Sequence, residues 1–229
     1  MRTKSKILSI ILFLAVLPTG LSQIITAPNY ALKSHETLVI SKVEISGSMT
    51  VVSLTIENRI SKGKFCADKN IYLIDPAGKK LKLIKAIGIP ACPESYEFKM
   101  IGEKLQFTLE FPPLKAGTKW IDIVEDCSDN CFSFYGVTLD NELNKKLDEA
   151  FVLASKGKAA DNIILFKNIL DSIDSQNLGI EGLLYINIIN AEVEEADNVN
   201  IKFWYNKLAS SNAPRVNQYL KYLNDKGIK

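Results

Sequence analysis

The stretch Lys104-Leu105-Gln106-Phe107-Thr108-Leu109-Glu110-Phe111, closed by Pro112-Pro113, decides the fold class. Apolar and polar residues alternate through it, the period-two pattern of a strand with one face in a core. Two consecutive prolines have no N–H to give to a ladder, so the strand stops there. Working outward, Thr37–Ile45 (TLVISKVEI) and Thr50–Ile56 (TVVSLTI) follow the same pattern with many β-branched residues, and Ser46-Gly47-Ser48 divides them. Ile71–Ile74 runs into the turn signature Asp75-Pro76-Ala77-Gly78, from which Lys80–Ile84 (KLKLI) returns. Trp120–Val124 and Phe132–Leu139 complete the set. About seven short strands at this spacing predict an antiparallel, immunoglobulin-like β-sandwich over residues 23–140.

The period changes after residue 140. Leu143, Leu147, Ala150, Phe151 and Ala154 recur at the spacing of an amphipathic helix. Further helices are expected near 159–173, 180–193, 197–210 and 214–225, punctuated by Gly157, Asp174–Gly179 and Asn212-Ala213-Pro214. Ala160-Asp161-Asn162-Ile163 is echoed 36 residues later by Ala196-Asp197-Asn198-Val199. A repeat of about 34 residues is that of tetratricopeptide-like hairpins, and an ordinary helical bundle fits equally well. Residues 141–229 are therefore expected to form an all-α, helical-hairpin domain.

At the other end, Arg2, Lys4 and Lys6 precede the apolar run Ile7–Leu17 (ILSIILFLAVL), and Pro18-Thr19-Gly20 breaks it. Gly20 and Ser22 supply small residues for a cut before Gln23, so residues 1–22 read as a signal peptide. The run is too short to cross about 30 Å of hydrocarbon comfortably. This predicts an exported chain, periplasmic or extracellular, with no stable membrane insertion once the leader is removed. The net charge of +2 also belongs to the leader: without it 25 basic residues face 26 acidic ones. No basic surplus remains to drive binding to nucleic acid by counterion release. With 47% hydrophobic and 24% charged residues, the chain is neither a disordered tail nor a multi-span membrane protein.

In an oxidising compartment the even set Cys66, Cys92, Cys127 and Cys131 predicts two disulfides, with three connectivities open. Cys127-Ser128-Asp129-Asn130-Cys131 is a polar turn whose base a bridge could close, and Cys66 with Cys92 would then close the longer loop. A four-thiolate zinc site is the sharper alternative, but only one short-spaced cysteine pair is present.

His35 is the only histidine, so any Ser-His-Asp or Cys-His catalysis must use it. Placed among Lys33, Ser34 and Glu36 before the first long strand, it is expected to be a solvated surface residue. Asp122, Glu125, Asp126 and Asp129 cluster around the cysteine turn and form the alternative candidate, a calcium or carbohydrate site, although their spacing is not that of an EF-hand loop. Asp122, between Ile121 and Ile123, should face out of the sandwich or cap a neighbouring loop. Lys79, Lys80, Lys82 and Lys85 read as a solvated strand edge that resists aggregation, and Glu192, Glu194 and Glu195 as a solvated helix face. Neither a phosphate-cradling nor a dinucleotide-binding glycine motif occurs, so no cofactor is expected. Trp204, Tyr205 and Tyr185 are the first candidates for partner binding, because aromatic anchors dominate interface hot spots. Aromatic residues at helical spacing more often build core.

Phe107–Leu114 (FTLEFPPL), Ile121–Glu125 (IDIVE) and Phe132–Leu139 (FSFYGVTL) resemble the C-terminal half of a β-sandwich accessory domain of exported Bacteroidota proteins. Thr50–Val52 and Ile87–Ile89 fit the same pattern upstream, so the likeness covers about residues 35–140. In that family the domain often sits beside a thioredoxin-like or other effector domain. The resemblance transfers no catalytic residue. The chain departs from it in the final turn, which holds Cys127 and Cys131, and in the helices that follow. The function expected from these observations is a non-enzymatic, exported binding or accessory protein with a protein partner. The alternatives are the calcium or carbohydrate module and a small hydrolase without a recognised motif.

Overall fold

The computed structural model describes residues 22–229, so the expected signal peptide, apart from Ser22, lies outside the described residues. Two five-stranded antiparallel sheets face each other. The first runs, edge to edge, β1 (Gln23–Thr26), β3 (Leu38–Ile45), β4 (Thr50–Glu57), β10 (Lys104–Phe111) and β8 (Lys85–Ile87). The second runs β2 (Leu32–Lys33), β12 (Ser133–Thr138), β11 (Trp120–Glu125), β6 (Ile71–Ile74) and β7 (Lys80–Lys82). A small ribbon of β5 (Lys64–Phe65) and β9 (Tyr96–Glu97) closes one end.

The alternation in sequence becomes alternation in burial. Leu105, Phe107, Leu109 and Phe111 of β10 point into the sandwich beside Val52, Leu54 and Ile56 of β4 and meet Leu73, Ile121 and Phe134 from the other sheet. The lysine-rich segment supplies β7 and β8, one edge strand in each sheet, with Lys80, Lys82 and Lys85 exposed. Charged edges of this kind oppose pairing with a second sheet. The predicted run Lys80–Ile84 is shorter as a strand because Leu83 and Ile84 carry the chain across to the first sheet.

Five helices follow: α1 (Asn141–Ala154), α2 (Ala159–Ser172), α3 (Glu181–Glu194), α4 (Asn198–Ala209) and α5 (Val216–Asp225), with a short 3-10 helix, Leu178–Ile180, before α3. Asp140 caps α1 through the N–H groups of Glu142 and Leu143, and Asp197 caps α4 through those of Val199 and Asn200. The echoed Asp161 lies inside α2 and is not the cap of that helix, so the repeated tetrad falls at inequivalent helix positions. Sequential helices pack against one another and α5 returns to α3. The central helix α3 is apolar around most of its circumference, as a helix packed on several sides must be.

Strand β11 is buried on both faces. Ile121 and Ile123 enter the sandwich core, while Trp120 and Asp122 point outward beneath the helical layer. Two glycines permit this close approach. A Cβ on Gly136 would lie 2.1 Å from the carbonyl oxygen of Gly179, and one on Gly179 would lie 2.6 Å from the Trp120 ring. Across the same seam Asp122 accepts hydrogen bonds from the Gly136 N–H at 2.8 Å and from Arg215 Nη1 at 2.7 Å. The Arg215 guanidinium also lies over the Tyr135 ring, 4.6 Å from its centroid. Burial pushes the Asp122 carboxyl above its ordinary range, opposed by the Gly136 N–H and by Arg215. Asn144 of α1 extends the seam, accepting from the Asn29 N–H and donating to the Thr138 carbonyl. Asp122 does face out of the sandwich, as its alternation implied, but that face is covered by helices rather than by solvent.

Removing Arg215 leaves a buried carboxylate without its cation, which typically costs about 3 kcal/mol or more. Arg215→Met should therefore lower stability by about 2–4 kcal/mol in denaturant unfolding, whereas Lys221→Met, which breaks an exposed pair with Asp225, should change it by less than about 0.5 kcal/mol.

Candidate functional site

Strand β11 runs from the helical seam at Trp120 to the opposite end of the sandwich at Glu125, about 17 Å away at the usual strand rise. At that far end the β2–β3 link, the exit of β4, the β5–β9 ribbon and the Cys127–Cys131 turn surround a cleft of about 540 Å³. His35 and Thr37 line one side, Lys64, Phe65 and Ser95 another, and Asp129 and Asn130 overhang it.

Both disulfides border this end. Cys66 is joined to Cys92 and Cys127 to Cys131, with Cα atoms 5.3 and 5.6 Å apart. One buried carboxylate links the two stapled loops. Glu125 Oε1 accepts the Asp68 N–H at 2.7 Å, and its Oε2 accepts the Phe132 N–H at 3.0 Å. Burial raises the Glu125 pKa and these two N–H groups pull it back. A second pin is Asn58, which is 5% exposed and donates from Nδ2 to the Met100 carbonyl at 2.8 Å. Neither side chain stood out in the sequence, where Glu125 was one of four carboxylates near a turn and Asn58 one polar residue after a strand.

His35 lies in the cleft wall, half-buried, with its ring edge-on to Phe65 at 6.1 Å. Burial holds its pKa below the ordinary 6.5, so the imidazole is neutral at pH 7. The folded state thus binds this proton more weakly than the unfolded chain, and the contribution of His35 to stability, present above pH 6.5, is lost as the pH falls. Ser34 Oγ is 2.9 Å from His35 Nδ1, but it also accepts the Ser133 N–H at 2.8 Å and lies 3.3 Å from the Cys131 carbonyl. No carboxylate hydrogen-bonds the imidazole among the described residues, so the acid that orients a catalytic histidine has no counterpart there. The pair ties β2 to the cysteine turn.

The acidic cluster does not converge. Asp122 belongs to the helical seam and Glu125 to the loop anchor, while Asp126 and Asp129 are exposed. Among the described residues no group of three or more His, Cys, Asp or Glu side chains is placed to hold a metal ion. The aromatic candidates separate as well. Trp204 and Tyr185 are 5% and 8% exposed and belong to the helical core, so neither can anchor a partner in this conformation. Trp204 Nε1–H donates to Glu192 Oε1 at 3.2 Å, which places Glu192 inside rather than on the solvated face expected for it. Burial raises the pKa of that carboxyl. Tyr205 is half-buried, and its hydroxyl donates to Asn224 Oδ1. The large apolar side chains that α4 does expose are Val199 and Phe203.

Closing the 26-residue span between Cys66 and Cys92 restricts the unfolded chain by about 3 kcal/mol in the loop-entropy account. The Cys66→Ser/Cys92→Ser protein should unfold about 2–4 kcal/mol more easily in urea, and Cys127→Ser/Cys131→Ser, which opens a much shorter loop, should lose less. No protein-family model and no curated protein matches the chain, so its site must be interpreted from its own geometry.

Proposed function

We propose that the chain is an exported, non-enzymatic binding protein of a bacterial envelope that holds a segment of a partner protein in the loop-end cleft. The observation that carries this reading is the pinning of that cleft: two disulfides, Glu125 and Asn58 fix the loops around it before any ligand arrives. Pre-ordered loops spare the ordering entropy that mobile ones lose on binding. The lining is suited to recognition. Ile56, Phe65 and Phe98 give it an apolar floor, and Thr37, Ser95 and Asn130 offer polar groups at its sides. Arg59 and the exposed Lys64–Glu97 pair add charge.

His35, in the cleft wall, is bonded to Ser34 with no carboxylate orienting it among the described residues, and Asp122 and Glu125 are structural. The disulfides and the likeness to exported accessory domains support the compartment. Among the described residues no helix is long and apolar enough to cross a membrane. The helical layer serves here as the buttress of the second sheet.

Filling the cleft tests the proposal. In affinity capture from the native envelope, the wild-type chain should retain a specific protein, and Ser95→Trp should weaken that retention by about tenfold or more. Phe203→Ser, on the exposed face of α4, should leave it unchanged. Retention insensitive to Ser95→Trp but lost in Phe203→Ser would move the binding surface to the helices.

A further inference from the structure

At the rim of the cleft, whose wall includes Ile60, the residues Ile60, Met100 and Ile101 are exposed at 65%, 67% and 63%. They occupy two separate loops, Asn58–Gly63 after β4 and Phe98–Glu103 before β10, that are joined into one projection. Asn58 makes the joint. Its side chain donates to the Met100 carbonyl, its N–H to the Glu103 carbonyl at 2.9 Å, and its carbonyl accepts the Gly102 N–H at 2.8 Å. Three large apolar side chains held together in water are a surface that expects a partner.

Two properties of this projection select the partner. The first is that part of its backbone, around Lys99 and Met100, is satisfied from within. The Glu103 carboxylate turns back to accept the N–H groups of Lys99 and Met100 and the Tyr96 hydroxyl, while Asn58 takes the carbonyl of Met100. Unsatisfied peptide groups make entry into an apolar medium costly, and these bonds lower that cost at Lys99 and Met100. The second is charge. Arg59, Lys62, Lys99 and Lys104 surround the apolar residues and are exposed. Of the nearby carboxylates, Glu57 is held by Arg59 at 3.0 Å and Lys104 at 3.6 Å, Glu97 pairs with Lys64, and Glu103 is turned inward. Lys62 and Lys99 form no ion pair among the described residues. Val199 and Phe203 on α4 are exposed as well, with Lys207 over the Phe203 ring at 5.1 Å and Glu194 and Glu195 just before the helix.

We propose that this tip docks the protein reversibly on an anionic lipid surface. Ile60, Met100 and Ile101 enter the boundary between headgroups and acyl chains, and the ring of Arg59, Lys62, Lys99 and Lys104 meets the phosphates. The contact is peripheral and needs no spanning segment. It shares Arg59 and Ile60 with the cleft wall but needs no protein in the cleft.

The test is sedimentation with vesicles, using protein purified from cells that export it. Vesicles of phosphatidylcholine with about a third phosphatidylglycerol should bind the wild-type protein, and pure phosphatidylcholine much less. Replacing all three tip residues (Ile60→Ser/Met100→Ser/Ile101→Ser) should cut partitioning by about tenfold or more, from the lost apolar burial. Lys62→Gln/Lys99→Gln should cut it by about tenfold on anionic vesicles only, and added salt should mimic that change. All substituted side chains are exposed, so the thermal unfolding curves should coincide. Equal partitioning of the wild-type and triple-serine proteins would overturn the proposal. So would a wild-type dimer that the triple-serine change dissolves without any vesicle binding, because the tip would then meet a second copy of the chain.

Discussion

The arrangement of the molecule depends on one buried ion pair at a very close seam. Asp122 and Arg215 come from elements 93 residues apart and meet at 2.7 Å, with side chains only 10% and 16% exposed. A carboxylate buried on the outer face of a sheet is tolerable only with donors, and the Gly136 N–H and Arg215 supply them. The two facing glycines, Gly136 and Gly179, let the turn before α3 come near enough for that pairing. Geometry of this kind specifies one docking of helices on sheet even if it adds little net stability over an apolar seam.

That docking decides which part of the sandwich is free. Helices cover the outer face of the second sheet near the start of β11, and the loops at the far end of the same strand remain in solvent. Those loops are then ordered by a different set of devices: two disulfides, the Glu125 carboxylate and the Asn58 amide. The result is a cleft with an exposed apolar rim at one pinned end, Ile60 belonging to both. Binding residues are commonly carried on loops held by a scaffold in this way.

Much of this was legible in the order of residues. KLQFTLEF reads as a strand because its period is two, and the helices after residue 140 announce themselves by the change of period, capped where Asp140 and Asp197 stand. The short polar turn suggested one of three open cysteine pairings, and the structure has that one. The role of Asp122 was half visible: alternation gives the face it points to, but its partner lies 93 residues on, in an Arg215 held in a left-handed turn that periodicity does not register. Glu192 escaped for the same reason, since a Glu among Glu194 and Glu195 looks solvated until a distant indole N–H is brought against it. Trp204 and Tyr185 were drawn inward by the ordinary rule that large apolar surfaces bury first. Ile60, Met100 and Ile101 did carry a signal, namely bulky apolar residues inside turn-forming segments, though only the fold shows that the two turns are neighbours.

The central claim is that the loop end, not the helical face, is where the protein meets its partner. Site-specific photocrosslinking in the intact envelope addresses it directly, with the probe placed at Lys64 in the cleft wall or at Lys202 on α4. The account predicts a discrete protein adduct from position 64 and none from position 202. An adduct confined to position 202 would contradict it and assign recognition to the helices.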